Sequence, residues 1–204
     1  MAQPFSVTVY CSSSNRIHPD YFEVATALGK ALAERKWRLV FGAGTVGLMG
    51  AVARGVHAEG GRVFGVIPHA LDKVEITYKA CDELVRVETM RQRKALMEEN
   101  SAAFIALPGG FGTLEEIVEV LVLKQLGYID RPIVFINTRN YWTPLVVLLE
   151  QMIEEGFVKP SNRHLYKVVE TVEEALGYIG NYYPEEEVTR WDKLGDEETG
   201  TALE

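Results

Sequence analysis

Cysteine is scarce in this chain, which has two cysteines among its 204 residues. Cys11 ends an apolar run, and Cys81 stands shortly before another. Two thiols placed in this way do not form a disulfide framework or a metal site by themselves. We therefore expect both to be reduced thiols of a protein core, which is the usual state of cysteine in the cytosol.

Excess positive charge and long apolar runs are also absent. The chain has 21 Lys and Arg against 29 Asp and Glu, which gives a formal net charge of −8. Nucleic acids and anionic membranes attract clustered Lys and Arg, so we expect neither as a partner. No apolar run approaches the length needed to cross a bilayer. The N-terminus also lacks the segments of a signal peptide, and the sequence predicts a cytoplasmic protein.

Short apolar runs alternate with amphipathic stretches along the chain. The runs are rich in Val, Ile and Phe and are continuous, as expected of strands covered on both faces. They lie at residues 5–10, 37–41, 62–67, 83–87, 102–107, 132–136 and, more weakly, 165–169. Helices are predicted at residues 19–35, 48–59, 89–100, 113–126, 143–155 and 172–179. This order predicts an α/β fold, a doubly wound parallel sheet of about seven strands with helices on both faces.

The chain divides into a long globular part and a short acidic end. A length of 204 residues suffices for one well-buried core and is short for two. We therefore assign residues 1–180 to a single domain. Residues 181–204 have few apolar anchors and include an acidic run after Pro184, so we predict that they form a peripheral C-terminal extension.

The first of two glycine-rich loops follows the second predicted strand, where Gly42, Gly44 and Gly47 have the spacing GxGxxG. That spacing is typical of dinucleotide sites. Those sites, however, follow the first strand and need an acidic residue at the end of the next one. The next strand here ends at His69 without a carboxylate, which disfavours an NAD-dependent oxidoreductase. Gly44 then serves either tight packing or the approach of a small ligand, and Ser13 is either a second ligand contact or part of a polar turn.

The second loop follows the fifth predicted strand and contains Gly109, Gly110, Gly112 and Thr113. Glycines free the backbone to turn several N–H groups toward one point, and a helix N-terminus favours an anion. The Gly-Lys-Ser/Thr of a triphosphate-binding loop does not follow. The loop therefore predicts a cradle for a monophosphate.

Glu116 has two interpretations. Thr113 and Glu116 have the spacing of a capping box, in which the glutamate only reaches back to a backbone N–H. Glu116 could instead face the ligand. The motif alone does not decide between these interpretations.

Arg93 lies where its predicted helix should be apolar. The apolar stripe of that helix consists of Met90, Leu96 and Met97. Arg93 falls within the stripe, and a guanidinium there needs an anionic partner because it cannot lose its proton. It either forms a structural ion pair or faces a ligand pocket and pairs with Glu116, the ligand or both. Lys94, at the edge of the stripe, either reaches a phosphate or is solvated.

Two segments together resemble the paired signature of the LONELY GUY phosphoribohydrolases, which are often mislabelled lysine decarboxylases. They read Met90-x-x-Arg93-Lys94 and Pro108-Gly-Gly-x-Gly-Thr-x-x-Glu116. The glycine loop at residues 42–50 and the segment at residues 65–68 are similar to the family as well. The similarity covers roughly residues 5–180. It departs from the family at Ser12, where a glycine is usual, and at Val122, where relatives often carry a threonine.

The resemblance implies a Rossmann-like fold and hydrolysis of the N-glycosidic bond of cytokinin riboside 5′-monophosphates, and of AMP. The chemistry of this reaction calls for no metal, and we expect no cofactor. The resemblance also implies Arg93 and Glu116 as the catalytic pair. The implied substrate contacts are Glu75, Lys94, Gly109, Gly110, Phe111, Gly112, Thr113, Leu114 and Glu115, to which our own analysis adds Gly44 and Ser13. A lysine decarboxylase would instead need a pyridoxal-linked lysine, and nothing in the sequence singles one out.

The chemistry predicts the role of the pair. Cleavage of an N-glycosidic bond builds positive charge on the ribose, which a carboxylate stabilises while it orients or deprotonates water. We expect Arg93 to hold Glu116 ionised, since a neighbouring cation favours the charged carboxylate. The alternative function is a non-catalytic nucleotide or cofactor carrier, which would keep the glycine loops without needing Glu116.

Self-association is expected from the helix predicted at residues 113–126. Its apolar residues lie nearly all the way round. Such a helix must be covered on more than one side. The sheet covers one face, and a second subunit is the natural cover for another. The pattern predicts a homodimer at least, which the resemblance also implies.

Overall fold

The computed structural model describes residues 4–72 and 76–183. Within them, seven parallel strands form one sheet in the order β4-β3-β2-β1-β5-β6-β7. The strands are β1 (Ser6–Tyr10), β2 (Arg38–Phe41), β3 (Val63–Pro68), β4 (Glu83–Val87), β5 (Ala103–Ala106), β6 (Ile133–Ile136) and β7 (Lys167–Val169). The α-helices are α1 (Pro19–Glu34), α2 (Gly47–Ala58), α3 (Met90–Glu99), α4 (Phe111–Gln125), α5 (Thr143–Glu154) and α6 (Val172–Gly180).

These elements confirm the predicted α/β fold and each of the seven predicted strands. The order β3-β2-β1-β5-β6-β7 is that of a Rossmann-like sheet, with β4 added beside β3. The largest boundary error among the helices is at α4, which begins at Phe111 rather than at residue 113. That difference has consequences for Glu116.

Helices cover both faces of the sheet, as the continuous apolar strands predict. On one face, Leu28 of α1, Val52 of α2 and Leu176 of α6 pack into one buried cluster. On the other, Met97 of α3 and Ile117 of α4 belong to a second cluster. Because helices cover both faces, the central strands β1, β2, β3, β5 and β6 are almost entirely buried, whereas the edge strands β4 and β7 expose polar side chains such as Glu83, Arg86 and Lys167.

The strand order reverses direction between β1 and β5. The chain runs outward from β1 through β2, β3 and β4, then crosses back to β5 and continues outward on the other side. Such a reversal opens a crevice at the carboxyl ends of the two central strands, where ligands bind in folds of this kind. The loops that follow these strands meet there, since the Ser12 N–H donates to the Pro108 carbonyl at 3.2 Å.

Helix α3, which enters this edge beside β4, has a well-defined start. The Thr89 hydroxyl accepts from the Gln92 N–H at 3.2 Å, and the Gln92 side chain accepts from the Thr89 N–H at 3.1 Å. This reciprocal capping box satisfies two of the backbone donors that a helix leaves free at its N-terminus. The capping box fixes the rotation of α3 about its axis. It therefore also sets the direction of the Arg93 side chain, which directly follows Gln92.

Both cysteines are free thiols, as predicted. Burial raises the pKa of Cys81 to about 12 and that of Cys11 further. Thiols with such pKa values are weakly nucleophilic at neutral pH. Neither cysteine is therefore a candidate for nucleophilic chemistry.

Two sequence-based predictions fall outside the described residues. They are the substrate contact at Glu75 and the extension from residue 184 onward. The helices of residues 4–72 and 76–183 include none with the length and apolarity to traverse a bilayer.

Candidate active site

Arg93 is buried beneath the carboxyl edge of the sheet, with about 9% of its surface exposed. Its Nε donates to the carbonyl of Val66, within β3, at 3.3 Å. Its guanidinium lies 3.5 Å from a carboxylate oxygen of Glu116. The structure therefore shows that Arg93 pairs with Glu116, a contact that fits both a structural ion pair and a pair that faces a ligand.

Gly42, directly after β2, provides the space for this guanidinium. A Cβ atom at Gly42 would lie 1.5 Å from one of the terminal nitrogens of Arg93. No real contact is that short, so any other residue at this position would displace the arginine. The first glycine of the GxGxxG spacing thus serves to seat Arg93. Sequence analysis associated it only with dinucleotide sites or helix packing and missed this role.

The capping-box interpretation of Glu116 is wrong. Gly110 caps α4 in an extended conformation (φ −91°, ψ −157°), and the helix begins at Phe111 without a side-chain cap. Thr113 is therefore the third residue of the helix, and Glu116 lies a turn further on. The Thr113 hydroxyl instead lies against Gly109. A Cβ atom at Gly109 would be only 2.1 Å from that hydroxyl. The flexible glycines permit this earlier start, which a sequence pattern centred on Thr113 does not reveal.

The pKa of Glu116 lies near neutral pH. Burial raises this pKa to about 7, although the charge of Arg93 acts in the opposite direction. Arg93 thus favours the charged carboxylate, as expected, but its effect is smaller than the cost of burial. The expectation that Arg93 holds Glu116 ionised therefore needs correction, because the pKa lies near 7 and not below its ordinary value. A carboxyl group with this pKa can exchange a proton at physiological pH.

Lys94 is neither solvated nor unpartnered. Its ammonium pairs with Glu115 and, at 2.6 Å, with Glu119, and both carboxylates belong to α4. These contacts tie α3 to α4 immediately beside the Arg93–Glu116 pair. A role for Lys94 and Glu115 in substrate binding remains a prediction, and it would require one or both to exchange this partner for the ligand.

The second glycine loop presents an open helix N-terminus at the same edge. Beyond Gly110 and Gly112, a Cβ atom would meet open space, and Phe111 between them is about 93% exposed. The backbone of the first turn is thus accessible from outside. Its N–H groups have no partner within the helix, and the helix dipole favours an anion there. Thr113 and Leu114 follow within the same turn.

The N-terminus of α2, at the first glycine loop, is already occupied. Gly47 has a left-handed backbone (φ +62°), which favours glycine, and its N–H donates to the Asn15 side chain at 2.8 Å. The Leu48 N–H donates to the Ser12 carbonyl, also at 2.8 Å. A dinucleotide would need these donors for its pyrophosphate. The occupied N-terminus therefore adds to the evidence against the NAD-dependent alternative.

The structure gives Gly44 a packing contact and leaves Ser13 exposed. A Cβ atom at Gly44 would lie 2.4 Å from the Met49 side chain, and one at Gly47 would lie 2.4 Å from the Ser13 backbone. The contact at Gly44 matches the packing alternative, and the Ser14 N–H, which donates to the Ser12 hydroxyl at 3.0 Å, matches the polar turn named for Ser13. Contact of Gly44 and Ser13 with substrate remains a prediction.

Residues 76–78 run along the glycine loop that follows β2 and begins with Gly42. The Thr45 N–H donates to the Ile76 carbonyl at 2.9 Å, and the Tyr78 N–H donates to the Ala43 carbonyl at 2.8 Å. Ile76 directly follows Glu75, whose predicted role in substrate binding is not tested by these contacts.

No sequence pattern assigned a role to Tyr141, and Val122 stood out only as a departure from the family. The Tyr141 hydroxyl, from the loop after β6, donates to the Gly109 carbonyl. Val122 lines a surface groove with Phe111 and Glu115 rather than the pocket of Arg93. The signal that could have indicated Tyr141 is its place after β6, at the same edge of the sheet as the glycine loops.

Comparisons with known proteins connect this site to a reaction. A family model described as "Possible lysine decarboxylase" matches residues 49–179. The probable cytokinin riboside 5′-monophosphate phosphoribohydrolase LOGL2 of Oryza sativa subsp. japonica is 44% identical over 181 residues, which are 89% of this chain and 74% of the relative. The cytokinin riboside 5′-monophosphate phosphoribohydrolase LOG5 of Arabidopsis thaliana is 40% identical over 178 residues, which are 87% of this chain and 78% of the relative.

A solved structure with the same architecture is the molybdenum cofactor binding protein from the phototrophic bacterium Rippkaea orientalis. It matches with a TM-score of 0.67 at 18% identity, over 88% of this chain and 97% of that one. A likeness at this level of identity shows the fold and carries no conclusion about the ligand.

The pKa of Glu116 predicts a specific pH dependence of stability. Its ordinary value is 4.5 and its folded value about 7, so the folded state holds the proton more tightly than the unfolded state. The free energy of unfolding therefore falls as pH rises from about 4.5 to about 7, by at most about 3 kcal/mol from this group. Glu116→Gln removes this titration. Urea unfolding at pH 5 and pH 8 should show the variant gaining stability relative to wild type at the higher pH.

The control is Glu173→Gln, which changes an exposed carboxylate in the first turn of α6. This control should keep the pH dependence of the wild type. An identical pH dependence in wild type and Glu116→Gln would contradict the perturbed pKa.

Proposed function

This chain belongs to the LONELY GUY family, and on that premise we propose that it hydrolyses the N-glycosidic bond of cytokinin riboside 5′-monophosphates. The products are the free cytokinin base and ribose 5-phosphate. The observation that carries the proposal is the buried pair of Arg93 and Glu116 beside the open N-terminus of α4. It combines a proton-exchanging carboxyl group with an anion site, the two elements that this reaction needs.

The 5′-phosphate binds at the first turn of α4 in this proposal. The N–H groups of Phe111, Gly112 and Thr113 are the donors that the helix leaves free there. The overall charge of the protein is negative, so an anionic substrate depends on such a local site. Phosphate binding takes place away from the bond that breaks, and its energy can be used to hold the ribose against Glu116.

Glu116 carries the chemistry. As the bond between C1′ and the base nitrogen lengthens, the ribose becomes positively charged, and the ionised carboxylate stabilises this charge. The same carboxylate can accept a proton from the water that attacks C1′. The base leaves with the electrons of the broken bond and takes up a proton from solvent, and Glu116 afterwards returns the proton of the attacking water to solvent. Arg93 opposes the effect of burial on the pKa of Glu116, and so it increases the fraction of carboxylate that is ionised at neutral pH.

The environment of Lys94 argues against a pyridoxal-dependent decarboxylase. Desolvation acts to lower the pKa of Lys94, but the hydrogen bonds that its ammonium donates to Glu115 and Glu119 outweigh it, and the pKa is raised. A lysine that forms an imine needs the opposite shift. Lys94 therefore does not have the environment of an imine-forming residue.

AMP is a second substrate in this proposal. The residues assigned to the reaction contact the phosphate and the ribose, which are common to AMP and to cytokinin nucleotides. Contacts to the phosphate and the ribose therefore cannot distinguish AMP from a cytokinin nucleotide. Discrimination between the two would come from contacts to the prenyl side chain of the base.

The homodimer is part of the proposal as well. Helix α4 packs on the sheet through Ile117 and Val120, but its opposite side leaves Val118 and Val122 about 37% and 43% exposed. These residues line an apolar groove between α4 and α5 with a volume of about 610 Å³. The remaining apolar lining includes Phe111, Leu114, Leu145, Leu148, Leu149 and Met152. An apolar surface of this size on a helix that also carries the site favours cover by a second copy.

The function is tested by incubation with isopentenyladenosine 5′-monophosphate, AMP and isopentenyladenosine, followed by chromatography of free base and ribose 5-phosphate. Both monophosphates should be cleaved. The nucleoside without phosphate should have a kcat/KM at least about 10²-fold lower, because it loses the charge-assisted hydrogen bonds at α4. Addition of EDTA should leave the activity intact.

Three outcomes would count against parts of this proposal. Equal turnover of isopentenyladenosine and its monophosphate would reject the phosphate site. Loss of activity in EDTA that magnesium restores would reject the metal-free reaction. Binding of nucleotide without any turnover would support the carrier alternative.

Sedimentation equilibrium at micromolar concentration should give the mass of a dimer or a larger assembly. Val118→Glu places a charge in the groove and should shift the protein toward the monomer. The matched control is Val147→Glu, which places the same charge on an exposed valine of α5 that is not part of the groove lining. A wild-type monomer, or two variants that behave alike, would refute the assignment of this surface.

A further inference from the structure

Tyr141 reaches from the loop after β6 to the glycine loop after β5. Its hydroxyl donates to the carbonyl of Gly109. Gly109 and Gly110 are joined by a planar peptide, so a fixed carbonyl also fixes the plane of the Gly110 N–H. Gly110 is the residue that caps α4. The hydroxyl of Tyr141 therefore determines the orientation of the Gly109–Gly110 peptide, which leads into the capping residue.

The loop that carries Tyr141 has an unusual backbone. Arg139 (φ 58°, ψ 28°) and Asn140 (φ 59°) are consecutive non-glycine residues in the left-handed region. L-residues adopt that conformation at a cost, and it persists where the surrounding structure compensates. Here the Arg139 guanidinium lies 2.9 Å from Asp20. The buried Asn137 side chain accepts from the Trp142 N–H at 2.8 Å.

The ring of Tyr141 is held on two sides. It packs edge-on against Trp142, with ring centroids 5.1 Å apart, and against Tyr21, at 6.1 Å. Tyr21 and Asp20 both belong to the first turn of α1. The first turn of α1 thus holds the loop after β6 through one ion pair and one ring contact. That loop in turn holds the glycine loop.

We propose that Tyr141 is a positioning residue for the phosphate site, which orients the Gly109–Gly110 peptide so that the first turn of α4 is ready to receive an anion. The inference rests on the proposed function, which places the 5′-phosphate at that turn. Tyr141 acts on the binding of the phosphate and has no part in the chemistry at C1′. Asp20 acts indirectly, because its ion pair with Arg139 holds the loop that carries Tyr141.

The test is Tyr141→Phe, which keeps the ring and its contacts and removes only the hydroxyl. Calorimetric titration with ribose 5-phosphate should give a Kd about tenfold higher than in wild type, as expected for the loss of one hydrogen bond. The KM for AMP and for isopentenyladenosine 5′-monophosphate should rise by a similar factor, with kcat changed less than about twofold. Product inhibition by the free base should be unchanged. Asp20→Asn should raise the same Kd by a smaller factor.

The matched control is Tyr128→Phe, which removes a hydroxyl from a tyrosine that is about 74% exposed and follows α4. Its kinetics and its Kd for ribose 5-phosphate should equal those of the wild type. A Tyr141→Phe variant with unchanged Kd and KM would overturn the inference while the proposed function stands. A loss confined to kcat would overturn it as well. Failure of the proposed function would appear separately, as a wild type that does not release base from any nucleoside monophosphate.

Discussion

The contact between the Arg93 guanidinium and the Glu116 carboxylate, 3.5 Å apart and both largely buried, is the constraint on which the site depends. Two charged groups at such a depth are stable only with each other and with further hydrogen bonds. The Val66 carbonyl supplies one of these bonds, and the absence of a side chain at Gly42 supplies the space. Removal of either charge would strand the other, so the pair also fixes how α3 and α4 sit on the sheet.

In the proposed function, the pair serves the chemistry more than the stability of the fold. Burial leaves the pKa of Glu116 near 7 in spite of Arg93, which means that the fold carries a cost when the carboxylate ionises at neutral pH. Such a cost is typical of groups that must exchange a proton during a reaction. The neighbouring contacts of Lys94 with Glu115 and Glu119 brace the same two helices without entering the buried pair.

The fold could be predicted from the sequence because its strands are continuous apolar runs, and the position of Arg93 in an apolar stripe correctly indicated a buried partner. Other features could not be predicted. The spacing of Thr113 and Glu116 fits a cap as well as a site, and only the start of α4 at Phe111 decides between them. The role of Gly42 and the contact of Tyr141 with Gly109 join segments that are distant in the chain. No local pattern contains that information.

The central claim, that the ionised carboxylate of Glu116 drives the cleavage, is tested most directly by the pH profile of kcat/KM for isopentenyladenosine 5′-monophosphate in wild type and Glu116→Gln. In wild type the rate should rise as pH increases through about 7 and then level off, because Glu116 acts in its charged form. Glu116→Gln should be at least about 10²-fold slower at pH 8 and should lack that rise. A folded Glu116→Gln variant that turns over at nearly the wild-type rate would contradict the account.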